Sequence, residues 1–140
     1  MIPGCKDWLS GIRRLEISEE QRRDHKMKDN IVLIGMPGAG KSTAGVILAK
    51  VIGYQFVDAD LVIQEEEGKR LHEIIEEVGT DGFIEVENRV NASLTAEHSV
   101  IATGGSVVYG AEAMEHLKAI GTVIYLKLPY EVVRKRLSDI

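Results

Sequence analysis

The segment Gly35-Met36-Pro37-Gly38-Ala39-Gly40-Lys41-Ser42-Thr43 meets the pattern G-x-x-x-x-G-K-[ST]. A chain of this length with average residue usage would show it by chance about 0.5% of the time. Glycines let a backbone wrap so that its N–H groups converge on a phosphate, and a helix N-terminus behind the turn adds partial positive charge. The remaining residue types complete that chemistry. Lys41 supplies a point charge to the β- and γ-phosphates, the Ser42 hydroxyl suits Mg²⁺, and Thr43 can reach a phosphate oxygen. The expectation is a site for a nucleoside triphosphate, taken as MgATP, with Gly38, Ala39, Gly40, Lys41, Ser42 and Thr43 as its contacts. The rival explanation, a glycine-rich turn with an incidental lysine, sits poorly with an apolar run before the motif and a helical pattern after it.

Two acids form a second group. Asp58 and Asp60 stand where the second strand signal ends, and in open α/β sheets ligands bind beyond the carboxyl ends of strands. On extended backbone, residues two apart point the same way, so both carboxylates would face one crevice. Asp58 then suits Mg²⁺ held through water. Asp60 suits an acceptor hydroxyl, orienting or deprotonating it for in-line attack on the γ-phosphate. A plain alternative is that Asp60 caps the helix starting at Leu61. Gly104-Gly105, after the third strand signal, would let backbone amides touch a small ligand or would simply turn the chain.

These groups need a scaffold, and its signals begin near Asn30. From there, short β-branched runs alternate with helix-period segments, the mark of βαβ units and a parallel sheet. Strands are expected over residues 31–34, 54–57, 100–102 and 122–126. Helices are expected over residues 41–52, 61–67, 71–78, 81–97 and 111–120, with a last one after Pro129. The fold class is therefore α/β, a three-layer arrangement of a parallel sheet flanked by helices. Phe83, Val86, Val90 and Leu94 read as a core stripe.

Composition narrows the function classes. The chain has 140 residues, 44% apolar and 28% charged, which suits one soluble domain. With 17 Lys+Arg against 22 Asp+Glu, the formal charge of −5 gives no basic footprint for nucleic acid. The longest apolar runs are far shorter than a membrane span requires. Cys5 is the only cysteine, which excludes an internal disulfide and fits a cytoplasmic setting. His25, His72, His98 and His116 show no metal-site spacing. Residues 1–28 are richly charged and read as an extension, disordered or partly helical from Ser18, with residues 29–140 as the domain. A switch GTPase is disfavoured because neither D-x-x-G after a strand nor N-K-x-D is present.

Taken in order, the motifs resemble the shikimate kinase family of nucleoside-monophosphate-kinase-like enzymes. The resemblance runs from Ile31 to Leu137. It includes the P-loop, Asp58-Ala59-Asp60, Gly82-Phe83 with Glu87, Ala102-Thr103-Gly104-Gly105, and the strand before Pro129. It implies transfer of the ATP γ-phosphoryl group to a hydroxyl of a small polyol acid, with Lys41 and Asp60 catalytic. It also implies that Asp60, Gly104 and Gly105 contact the substrate, that Ser42 and Asp58 serve the metal, and a place in aromatic amino acid biosynthesis. Three positions depart from the family pattern. Ile84 replaces the arginine that grips the substrate carboxylate, leaving Glu87 without that partner. Ser106 replaces the third glycine of a turn. The sequence stops at Ile140, ahead of the family's arginine-bearing lid and last strand, so Arg134 and Arg136 are expected to be solvated or structural. A nucleotide-binding module without phosphoryl transfer stays open as the alternative.

Overall fold

In the computed structural model, residues 29–36, 39–127, 131, 134 and 135 are described. The expectations for residues 1–28, Gly38, Arg136 and most of the helix after Pro129 lie outside them.

The first strand, β1 (Asn30–Ile34), is buried at every position. A strand covered on both faces reads as a continuous apolar run, which is how this one was legible. Its side chains still alternate. Val32 and Ile34 join Ala59, Ile101 and Leu117 in one cluster, while Ile31 and Leu33 join Ala44, Leu48 and Val100 in the other. The sheet is thus the middle of three layers, as expected.

Helix α1 (Lys41–Ile52) follows, burying Lys41, Ala44, Gly45, Leu48 and Ala49 along one stripe. Strand β2 (Gln55–Asp58) then feeds α2 (Ala59–Glu67) without a loop. Next come α3 (Leu71–Ala92), β3 (Ser99–Ala102), a 3₁₀ turn (Val107–Tyr109), α4 (Ala111–Ile120) and β4 (Gly121–Tyr125). All strand pairs are parallel, in the order β2-β3-β1-β4. The chain leaves β1 for the edge strand β2 and returns to fill the gap with β3. The loops after β1 and β3 therefore meet in one crevice at the carboxyl end of the sheet.

Asn30 locks the opposite end. Its side chain, 2% exposed, donates to the carbonyls of Ala96 and Ile120 at 2.9 Å each and accepts the Ser99 N–H at 3.1 Å. One amide thereby ties the start of β1 to the chain entering β3 and β4.

Two helix boundaries differ from expectation. The helix expected from Leu61 starts at Ala59, whereas the helices expected over 71–78 and 81–97 do part at Gly79, whose φ of 75° and ψ of 176° are not helical. The second half stops at Ala92, because Ser93 turns back on it: its hydroxyl donates to the Arg89 and Val90 carbonyls at 3.2 Å each. Leu94, read as part of the helical stripe, is buried in the core from beyond the helix end.

Candidate active site

The loop after β1 climbs into α1 through Gly40, whose φ of 87° lies in the left-handed region that favours glycine. The Lys41 Nζ folds back over this loop and donates to the carbonyls of Gly35 at 2.6 Å and Met36 at 3.0 Å. Ser42 and Thr43 are exposed in the first turn of α1. Together with Gly40 and Lys41 they line a cavity of about 310 Å³. Its other wall is Asp60, Thr103, Gly104 and Gly105. Helix N-terminus, cation and hydroxyls thus share one concavity, which is the chemistry of a phosphate site.

Thr103 is anchored by donating its backbone N–H (3.1 Å) and hydroxyl (2.8 Å) to the Leu33 carbonyl. The Gly104 turn is thereby set against β1. Sequence reasoning gave Thr103 no role; its place directly before two glycines at a strand end was the available signal.

Asp58 and Asp60 separate. Asp58 is the N-cap of α2, its Oδ1 accepting the Asp60 N–H at 3.0 Å. Asp60 is already helical, so the two do not follow the extended spacing expected of them, and the cap is Asp58 where Asp60 was considered. Asp60 lines the cavity; Asp58, half-buried, does not.

A second cavity of about 450 Å³ adjoins the first and shares Asp60, Gly104 and Gly105 with it. Its walls include Leu71, Ile75, Phe83 and Tyr109, with Glu87 and Ser106 as polar groups. Glu87 is 1% exposed, and the Ser106 hydroxyl donates to its Oε1 at 2.6 Å. The carboxylate expected to lack an arginine partner thus holds the serine that replaces a glycine. Ile84 is half-buried and is not part of this wall.

Burial sets the electrostatics. It pushes the Asp60 carboxyl above its ordinary range, with Asp58 adding to the rise and Lys41 opposing it. It raises Glu87 too, against the Ser106 hydrogen bond and Lys41, while Asp60 adds. Lys41 is lowered by burial, and Asp60 and Glu87 oppose that. The three groups form one mutually coupled set around the crevice.

A family model described as "Shikimate kinase" matches residues 37–139. The chain belongs to the shikimate kinase family. A shikimate kinase of Persephonella marina is 42% identical over 108 residues, covering 76% of this chain and 66% of that protein. Shikimate kinase 2 of Yersinia pseudotuberculosis is 40% identical over 113 residues, covering 81% and 65%. Among solved structures, shikimate kinase from Acinetobacter baumannii in complex with shikimate superposes with a TM-score of 0.73 at 37% identity, covering 81% of this chain and 64% of that one. This shikimate kinase family member spans about two thirds of the length of the curated relatives it matches. Among the described residues, no helix is long and apolar enough to cross a membrane.

Proposed function

We propose that this shikimate kinase family member transfers the γ-phosphoryl group of ATP to a hydroxyl of a small polyol acid, shikimate or a close relative. The observation that carries this reading is the shared wall: Asp60 and the Gly104-Gly105 turn border both the cavity at the α1 N-terminus and the one beside it. A phosphate chain in the first would point at an acceptor in the second.

The residues divide the work as follows. The backbone from Gly38 to Gly40 and the α1 N-terminus hold the phosphates, with Ser42 and Thr43 adding hydroxyl contacts. Lys41 moves its ammonium from the Gly35 and Met36 carbonyls onto phosphate oxygens as charge develops there. Asp60 accepts the proton of the attacking hydroxyl, and its raised pKa brings it nearer the strength such a base needs. Gly104 and Gly105 contact the acceptor.

Mg²⁺ fits this donor set. Ser42 places its hydroxyl on the cavity wall, and Asp58, outside that wall, would have one oxygen beyond its cap contact to reach the ion through water. Such sites commonly use few protein ligands and retain several waters. When bound, the ion neutralises charge on the phosphate oxygens.

The net charge of −5 disfavours nucleic acid as a partner, and the single cysteine fits a cytoplasmic setting. The test is formation of shikimate phosphate by the purified chain with MgATP, abolished by Lys41→Ala. Nucleotide binding without transfer to any polyol acid would favour a binding module instead.

A further inference from the structure

We infer that Asn88 is a positioning residue for the acceptor: from α3 it pins the outer end of the turn after β3, and so places Tyr109 on the wall of the larger cavity. This rests on the phosphoryl-transfer reading above and adds to it a residue that lines neither cavity.

Helix α4 starts with a deficit. The first N–H groups of a helix have no partner within it, and a side chain at the N-cap position ordinarily accepts from the second or third of them. Here that position is Gly110, which has no side chain to offer. Asn88 supplies the missing oxygen from another helix. Its Oδ1 accepts the Ala113 N–H at 2.9 Å, while its Nδ2 donates to Glu112 Oε2 at 2.9 Å. Both ends of one amide are thus spent on two consecutive residues of α4. Gly110 permits the approach: a Cβ there would fall well inside contact distance of Asn88 Oδ1 and 2.8 Å from its Cγ.

The chain between β3 and α4 carries one wall of the larger cavity, through Gly104, Gly105, Ser106 and Tyr109. Its inner part is well held. Thr103 is tied to Leu33, Ser106 is tied to Glu87, and Val107 is 1% exposed in the core. Beyond Val107 the packing thins: Val108 is 46% exposed and Tyr109 is 74% exposed. The next fixed point along the chain is Gly110, where the start of α4 is fastened to Asn88. Tyr109 therefore sits between a buried valine and the Asn88 clasp, and its ring reaches the cavity from a backbone secured on both sides. Glu87 and Asn88 are neighbours on α3, so a single turn of that helix sets both ends of the wall. Release of the outer end would move Tyr109 from the cavity and leave Lys41, Ser42 and Thr43 in place.

The test uses the full chain with shikimate as the acceptor. Binding is measured by calorimetry with a non-hydrolysable ATP analogue present, and turnover is measured separately. Asn88→Ala is expected to weaken shikimate binding, or raise its KM, roughly 5- to 30-fold, the scale of one or two hydrogen bonds, with ATP affinity within about 2-fold of the parent. A cap that served only the fold would lower the melting temperature and leave the KM of the folded fraction alone. In a Tyr109→Ala background the loss on Asn88→Ala should disappear, since both changes act on one contact. Asn88→Asp combined with Glu112→Gln exchanges donor and acceptor across the pair and keeps an oxygen for the Ala113 N–H. It should return KM to within about 3-fold of the parent. An unchanged KM on Asn88→Ala, or an equal loss with Tyr109→Ala already present, would overturn the inference. Shikimate binding that couples Asn88 to Tyr109 without turnover would instead overturn phosphoryl transfer and leave this inference standing; absence of shikimate binding would overturn both.

Discussion

Asp58 Oδ1 accepts the backbone N–H of Asp60 at 3.0 Å, so two acids that look equivalent in the sequence do different jobs. Asp58 ends β2 and starts α2; Asp60 sits one step inside the helix and faces the crevice.

This division is separable by mutation. Asp58→Ala removes cap and charge and is expected to cost about 1 kcal/mol of stability in denaturant titrations. Asp58→Asn keeps a capping oxygen and should stay within about 0.5 kcal/mol, while raising the Mg²⁺ concentration needed for half-maximal activity. Identical metal requirements for Asp58→Asn and the unaltered chain would remove Asp58 from the metal site.

Lys41→Ala should weaken ATP binding roughly 30-fold or more, because a partly buried cation facing phosphates is lost. Calorimetry measures it directly. Unchanged affinity would place the nucleotide elsewhere.

Asp60 gives a pH prediction of defined sign. Its folded-state pKa is raised by burial, so between the unfolded and folded values the folded chain binds more protons, and stability falls as pH rises through that window. The penalty is complete above the folded pKa and absent below the unfolded one. Asp60→Asn should therefore raise stability at neutral pH by roughly 0.5–2 kcal/mol, a gain that vanishes in acid, while phosphoryl transfer is lost. In the unaltered chain the acid limb of kcat/KM should lie above the ordinary carboxylate range. Thermal melts across pH check the first outcome; an Asp60→Asn chain no more stable at neutral pH than the parent contradicts it.

Two glycines offer a matched contrast. A Cβ at Gly104 presses on side-chain oxygens of Glu87 and Asp60, whereas one at Gly121 meets the Asn30 backbone oxygen at 2.6 Å. Gly104→Ala should raise acceptor KM at least about 10-fold with a modest loss of stability. Gly121→Ala should cost about 1–3 kcal/mol by overpacking against rigid backbone and leave KM unchanged in the folded fraction. Steady-state kinetics beside denaturant melts distinguish the two, and a reversed pattern would mean that Gly104 serves the fold and not the site.

What the sequence made legible was what local chemistry controls. The limits of α1 and α4 match expectation at both ends, because a glycine closes the end of each. β1 was legible because both its faces are covered. The break at Gly79 was readable as a gap between two helices, because its φ of 75° suits a glycine and interrupts the helical run. Glu87 and Ser106 were both noticed, Glu87 as a carboxylate left without its arginine and Ser106 as a side chain where a glycine is expected. That each supplies the other could not be read, because they are 19 residues apart on separate elements and only the tertiary fold brings them to 2.6 Å. Thr103 was missed for the same reason: its two hydrogen bonds reach back 70 residues to Leu33.

The Asn30 amide never approaches the crevice, yet it governs how exactingly the crevice can be assembled. β1 is 5 residues long, so at about 3.3 Å per residue the phosphate loop begins roughly 16 Å from the point where Asn30 pins it to its neighbours. A slip of β1 by one residue would shift Gly35 by about 3.3 Å against the Gly104 turn and exchange the two faces of the strand. Neither the loop's partners nor its distance from Asp60 would survive that displacement. By fastening β1 to both neighbours at its first residue, Asn30 acts as the datum from which donor and acceptor cavities are measured, and the tolerance of the site is set at the end of the sheet farthest from it.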